Sequence, residues 1–201
     1  MSNLITKPAP DFKANAVQPD NTIDENFTLS DLKGKYIVLF FYPLDFTFVC
    51  PTEILAFNER IEEFKERGAE LIGISVDSAY THIAWKKTPV EKGGIGPVKF
   101  TLVSDLNKEI SRKYEVLFNE EAALRGLFLI DKEGIIRHSV VNDQPFGRNV
   151  SEALRMLDAL IHFDKYGKLC PANWEKGKED MEGNSQGVVD YLTNSAFAKN
   201  R

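Results

Sequence analysis

Apolar positions along the chain alternate between two rhythms. Residues 36–41 (Tyr-Ile-Val-Leu-Phe-Phe) form a continuous apolar run closed by Pro43, the pattern of a strand buried on both faces. Residues 70–76 form a second such run, and Asp77 and Ser78 follow it as candidate helix caps. Between the two runs Ile54, Phe57, Ile61 and Phe64 recur at helical spacing. Glu59, Arg60, Glu62, Glu63, Lys65, Glu66 and Arg67 supply much of the polar surface of that helix, and Gly68 is its natural stop. Strand, helix and strand in this order predict a βαβ unit, whose parallel strands need helices to cover them.

The same reading extends down the chain. A second helix is expected over 78–87, stopping before Pro89. A less clean strand is expected over 98–103, and a short helix over 107–114. Residues 126–131 and 135–141 are apolar runs joined by a Gly-bearing turn, which predicts a β-hairpin. A long helix over 149–166 places Leu154, Leu157, Leu160 and Ile161 on its buried face. The predicted order is β-α-β-α-β-α-β-β-α. After Gly167 apolar residues thin out, so residues 1–167 read as the cored domain and 168–201 as a C-terminal arm, with a short helix expected over 188–199.

Composition narrows the function classes. The net charge of −5 gives no basis for a nucleic-acid or anionic-membrane partner. No stretch approaches the ~20 apolar residues of a membrane span. Residues 1–10 hold one Lys and no apolar run, unlike a secretory signal, and a cytoplasmic location is expected. The chain has two cysteines. In a reducing compartment a static disulfide is not expected, which leaves two inert buried thiols or a redox pair. His82, His138 and His162 show no metal-ligand spacing with the cysteines. The glycines at 93–96 lack the Lys-Ser/Thr of a phosphate loop. No cofactor or metal is expected.

Cys50 stands where the first helix begins. Pro51 suits the first helical position, which makes Cys50 the expected N-cap, and Glu53 then falls where an acidic side chain closes a capping box. A thiol there faces unpaired backbone N–H groups and the positive end of the helix dipole. Both favour thiolate, the nucleophilic form. A buried cysteine without chemistry fits the position equally well.

The residues before it separate the two. Residues 43–50 spell P-x-x-x-T-x-x-C, and Pro51-Thr52-Glu53 follow. Pro10-Asp11-Phe12, the strand at 38–41, Gly93-Gly94-Ile95-Gly96, Leu124-Arg125-Gly126 and Leu169-Cys170-Pro171 ahead of Trp174 complete the pattern. In this order the set resembles the peroxiredoxins over nearly the whole chain. It is similar within them to the typical two-cysteine subgroup, which includes the alkyl hydroperoxide reductase peroxidase component and thioredoxin peroxidases. The predicted elements match by analogy the α/β, thioredoxin-like fold: a mixed central sheet, helices on both faces, and a C-terminal arm.

The resemblance implies a thiol peroxidase acting on hydrogen peroxide and organic hydroperoxides. Cys50 would become a sulfenic acid. Thr47 would turn its hydroxyl to the thiolate and the peroxide, and Pro43 would fix the loop and shield the sulfur. Arg125 would bring a charge that does not titrate; taken alone, a surface salt bridge accounts for Arg125 better. Glu53 and Arg148 would orient Arg125 or line the pocket. The 120 residues from Cys50 to Cys170 exclude a local C-x-x-C dithiol, and spacing leaves open whether the two meet within one chain. The resemblance implies a disulfide to Cys50 of a second subunit, a homodimer and a ring of five dimers, with a thioredoxin-like or flavoprotein-linked reductant. Holdase chaperone activity of higher oligomers is the rival function. Gly93-Gly94-Ile95-Gly96 and Tyr191-Leu192 resemble a Gly-Gly-Leu-Gly loop and a Tyr-Phe pair that slow unwinding of the active-site helix in readily overoxidised members.

Overall fold

The computed structural model describes residues 4–194. The chain divides into two units, with the break after Val150. The first unit is built on a seven-stranded mixed sheet. Its strands are β1 (Lys13–Val17), β2 (Ile23–Thr28), β3 (Tyr36–Phe41), β4 (Ala69–Ser75) and β5 (Thr101–Ser104). A separate two-stranded pair, β6 (Leu117–Phe118) and β7 (Ala122–Ala123), precedes β8 (Arg125–Ile130) and β9 (Ile136–Asn142). The order across the sheet is β2-β1-β5-β4-β3-β8-β9. β3 runs parallel to β4 and antiparallel to β8, and β4 runs parallel to β5.

All six residues of β3 and of β8 are buried, as continuous apolar runs demand. Successive side chains of β3 point to opposite faces, and each face is covered. Helix α1 (Cys50–Glu59) and helix α2 (Ile61–Glu66) follow β3. Phe40 stacks on Phe57 of α1 at 4.6 Å. After them in the chain come α3 (Ala79–Lys87) and α4 (Glu109–Lys113). Phe41, on the opposite face from Phe40, meets Tyr114 at the end of α4 at 5.2 Å. Helices therefore lie on both faces of a mixed sheet, the arrangement expected.

The predicted βαβ unit is present, and Ile54, Phe57, Ile61 and Phe64 are all buried. It is not one continuous helix. Arg60 leaves helical geometry (φ −107°, ψ 15°) and separates α1 from α2. The 98–103 strand shortens to β5, although Val98 and Phe100 are buried in the irregular stretch before it. The N-terminal hairpin β1–β2, joined to β5, was not expected. β2 carries Asp24, Glu25 and Asn26, so its alternation is weak.

The second unit holds nearly all of α5 (Val150–Tyr166) and α6 (Ser185–Asn194). Leu154, Leu157 and Leu160 are buried, and Ile161 is half-buried at the edge of that face. The expected helix over 188–199 begins earlier, at Ser185; its last residues lie outside the described ones. Among the described residues no helix is long and apolar enough to cross a membrane.

Candidate active site

The loop from β3 to α1 is held from below by a buried polar network. Tyr42 donates its backbone N–H to the Ile74 carbonyl at 2.9 Å and its hydroxyl to Asp45 Oδ1 at 2.9 Å. His82 Nδ1, from α3, lies 2.7 Å from Asp45 Oδ2, and its Nε2 lies 3.2 Å from the Val103 carbonyl. Burial pushes the Asp45 carboxyl above its ordinary range, with His82 acting against the shift. The Asp45 N–H donates to Asp77 Oδ2, which also accepts from Ser75 Oγ. Phe46 turns the chain through left-handed backbone (φ 52°), an unfavoured conformation for an aromatic residue that this anchoring holds in place.

This loop delivers Cys50 to the start of α1. Cys50 is the first helical residue, and Val49 is the N-cap. The expected capping box is therefore absent: no side chain caps α1, and Glu53 serves elsewhere. Cys50 is 1% exposed. Arg125, the first residue of β8, donates from Nη1 to Cys50 Sγ at 3.5 Å and to Glu53 Oε2 at 2.6 Å. Its Nε donates to the Gln144 carbonyl at 2.6 Å. A surface salt bridge is excluded for Arg125, which is buried.

Glu53 is the hub of the cluster. Its Oε1 accepts from the backbone N–H of Arg148 at 2.8 Å and from Arg148 Nε at 2.7 Å, while Oε2 accepts from Arg148 Nη2 at 3.0 Å. Arg148 also donates Nη1 to the Gly126 carbonyl and lies over the Phe40 ring. Burial works against the Glu53 charge; Arg148 first and Arg125 next outweigh it and hold the carboxyl below its ordinary 4.5.

Thr47 lies on the same loop, half-buried, and donates its hydroxyl hydrogen to the Leu44 carbonyl at 2.7 Å. That leaves its oxygen lone pairs as acceptors. Pro43 is buried at the start of the loop. The geometry joins Cys50, Arg125, Glu53 and Arg148 directly and sets Thr47 and Pro43 on the loop leading to them. The Gln144 carbonyl, which fixes the Arg125 guanidinium plane, went unpredicted. A backbone acceptor leaves no mark in the residue types.

Cys170 lies in the second unit. It is half-buried, and its thiol points to the Ala159 carbonyl at 3.6 Å. Both cysteines are free thiols. Burial first, then Asp180, pushes the Cys170 thiol above its ordinary range, with Arg155 pulling the other way.

Comparison with known proteins adds an independent line. A family model described as the AhpC/TSA family matches residues 5–139, and one described as the C-terminal domain of 1-Cys peroxiredoxin matches residues 159–194. Alkyl hydroperoxide reductase C of Helicobacter pylori (strain J99) is 57% identical over 195 residues, covering 96% of this chain and 98% of that one. Peroxiredoxin-2 of Macaca fascicularis is 50% identical over 190 residues, covering 94% and 95%. The reduced 2-Cys peroxiredoxin of Plasmodium vivax superposes with a TM-score of 0.94 at 52% identity, over 96% of this chain and all of that one.

Proposed function

Because this chain belongs to the AhpC/TSA family of peroxiredoxins, peroxidases of the oxidoreductase class, we propose that Cys50 is its peroxide-attacking thiol and Cys170 its resolving thiol. The Cys50 thiolate attacks one oxygen of ROOH. The S–O bond forms as the O–O bond breaks, and the departing RO⁻ takes a proton and leaves as alcohol, or as water from hydrogen peroxide. Cys170 then attacks the sulfenic sulfur, forming the disulfide and releasing water. A dithiol reductant of the thioredoxin-like or flavoprotein-linked kind returns both thiols.

The observation that carries this reading is the shared Nη1 of Arg125, 3.5 Å from Cys50 Sγ and 2.6 Å from Glu53 Oε2. A guanidinium held on three sides cannot swing away. It offers positive charge to the sulfur and to the oxygens that gain charge in the transition state. Thr47, its hydrogen already donated, accepts the hydrogen of the incoming peroxide. Arg148 and Glu53 act through Arg125, and Pro43 shapes the loop and keeps bulk water from the sulfur.

Cys50 is buried within the first turn of α1, and a disulfide needs Cα atoms within about 7 Å. The turn therefore unwinds before Cys170 arrives. Residues 1–167 act as the peroxidase domain and 168–201 as the arm that brings Cys170 to Cys50 of a second subunit. Self-association as a homodimer, and of five dimers as a ring, belongs to the same reading, and Leu44, Phe46, Tyr80 and Leu106 are exposed apolar side chains available to such contacts. Free thiols suit a reducing, cytoplasmic setting.

The test is peroxide consumption coupled to a thioredoxin system. Cys50→Ser abolishes turnover, and Cys170→Ser consumes one equivalent and stalls. On a non-reducing gel, one equivalent of peroxide gives a band at twice the chain mass, absent from either variant. Substantial turnover by Cys50→Ser overturns the assignment; an internally bridged monomer overturns the intersubunit disulfide alone.

A further inference from the structure

The loop that carries Cys170 is closed and fastened rather than loose. Its base is a pair of backbone hydrogen bonds, Leu169 N–H to the Met181 carbonyl at 2.8 Å and Met181 N–H to the Leu169 carbonyl at 3.0 Å. Arg155, Ala159 and His162 recur on one face of α5, at helical spacing, and all three engage the loop. Arg155 Nη1 donates to the Trp174 carbonyl at 2.8 Å. The Ala159 carbonyl faces the Cys170 thiol at 3.6 Å. His162 Nε2 lies 2.8 Å from Asp180 Oδ2, and its ring packs on Trp174 with centroids 4.8 Å apart. Lys168 Nζ completes the closure, 3.3 Å from Asp180 and 3.2 Å from Glu182.

In this arrangement the Cys170 hydrogen is directed at a helix carbonyl and the sulfur is half-buried, so the docked thiol is poorly placed to act as a nucleophile. Burial first, and Asp180 next, keep it further from ionising. Attack on a sulfenic acid needs the sulfur free and its proton lost, which the docked loop opposes.

We propose that His162 and Asp180 are positioning residues for the second step of the reaction: their contact latches the Cys170 loop to α5, and its release sets the rate at which Cys170 resolves the Cys50 sulfenic acid. This rests on the reading of Cys170 as the resolving thiol. The step is Cys50–SOH + HS–Cys170 → Cys50–S–S–Cys170 + H₂O. The latch enters ahead of it, as the fraction of time the loop is undocked.

The experiment uses the full-length reduced protein, one equivalent of hydrogen peroxide and rapid-quench mass spectrometry, which times sulfenic acid formation and disulfide formation separately. His162→Phe keeps the ring against Trp174 and removes the contact to Asp180 alone; Asp180→Ala removes it from the other side, together with the Lys168 contact and the negative charge near the thiol, so His162→Phe is the decisive variant. Each variant should speed disulfide formation about three- to tenfold, the range for losing one partly exposed charged hydrogen bond. Sulfenic acid formation should stay within about twofold of wild type. His162→Gln, which still offers Asp180 a donor, should return toward the wild-type rate. Hydrogen exchange at the Leu169 and Met181 amides should quicken in the first two variants. Disulfide formation that is unchanged or slower overturns the latch, as does faster exchange without faster resolution. Should wild type form no Cys170 disulfide at all, the resolving assignment falls and the latch with it; equal rates in wild type and variants overturn the latch alone.

Discussion

Glu53 accepts a 2.6 Å hydrogen bond from Arg125 Nη1, the nitrogen that also faces Cys50 Sγ at 3.5 Å. The carboxylate thus aims the cation at the sulfur. Arg125→Ala removes an aimed donor and should slow the peroxide step by ~10²–10³. Arg125→Lys should recover little, because one ammonium cannot meet Glu53, the Gln144 carbonyl and Cys50 from a single plane. Thr47→Val should slow the same step while leaving resolution unchanged. Stopped-flow mixing with peroxide measures all three; rates within a few-fold of wild type would show that these side chains do not touch the transition state.

The same carboxylate gives the active-site cluster a defined acid limit. Glu53 titrates below 4.5 in the folded protein, because Arg148 and Arg125 outweigh its burial. Between the folded value and 4.5 the unfolded chain binds more protons, so stability rises with pH across that window and levels off above it. The stability gap between wild type and Glu53→Gln should therefore be full above about pH 4.5, with the loss setting in below it. Urea titrations at several pH values measure the gap; one that is constant through acid, or that widens on acidification, contradicts the linkage.

Much of this was legible in the residue types, and the failures have physical reasons. β3 and β8 were readable because strands buried on both faces must be continuously apolar. β2 was not, since an edge strand facing water carries little periodic signal. Cys50 was placed at the helix start correctly to within one residue, but the capping role given to Glu53 was wrong. Helix periodicity speaks of contacts inside one helix, whereas the partners of Glu53 come from residues 125 and 148. Pairing across 72 and 95 residues is a property of sheet order. The Asp45–His82 pair was missed for the same reason, 37 residues apart and joined only by the fold.

That pair should matter to stability more than to chemistry. The His82 and Asp45 side chains are fully buried, and Asp45 also accepts from Tyr42. His82→Ala would leave a carboxylate buried with one partner fewer. Leaving a buried polar group short of its hydrogen-bond partner costs about 1–3 kcal/mol. The urea midpoint should fall accordingly, and the peroxide step should change much less under conditions where the variant is folded. A midpoint within experimental error of wild type would mean the pair contributes little.

Overoxidation tests whether the Gly93–Gly96 loop and the last helix act on the Cys50 turn. A β-carbon at Gly94 would lie 1.9 Å from the Thr88 carbonyl oxygen, so only glycine lets that loop sit where it does. Trp85 fastens it further, donating Nε1 to the Gly93 carbonyl at 3.0 Å while its ring meets Phe46 of the active-site loop at 6.0 Å. Tyr191-Leu192 resembles the Tyr-Phe pair of readily overoxidised peroxiredoxins with Leu192 in place of Phe, and Leu192, on α6, is about half exposed. In the clamp that the resemblance implies, Leu in place of Phe would cover less apolar area, a difference of ~1 kcal/mol. On that expectation a weaker clamp would let the first turn of α1 unwind sooner, and resolution would compete better with a second peroxide at the sulfenic acid. Wild type should then show intermediate to low formation of Cys50 sulfinic acid. Leu192→Phe should raise the sulfinic fraction, and Gly94→Ala, by displacing the loop, should lower it. Mass spectrometry of Cys50 during turnover across a peroxide series measures both. A wild type that overoxidises at low peroxide, or a Leu192→Phe variant that behaves as wild type, would show that covering area at this helix does not set the competition.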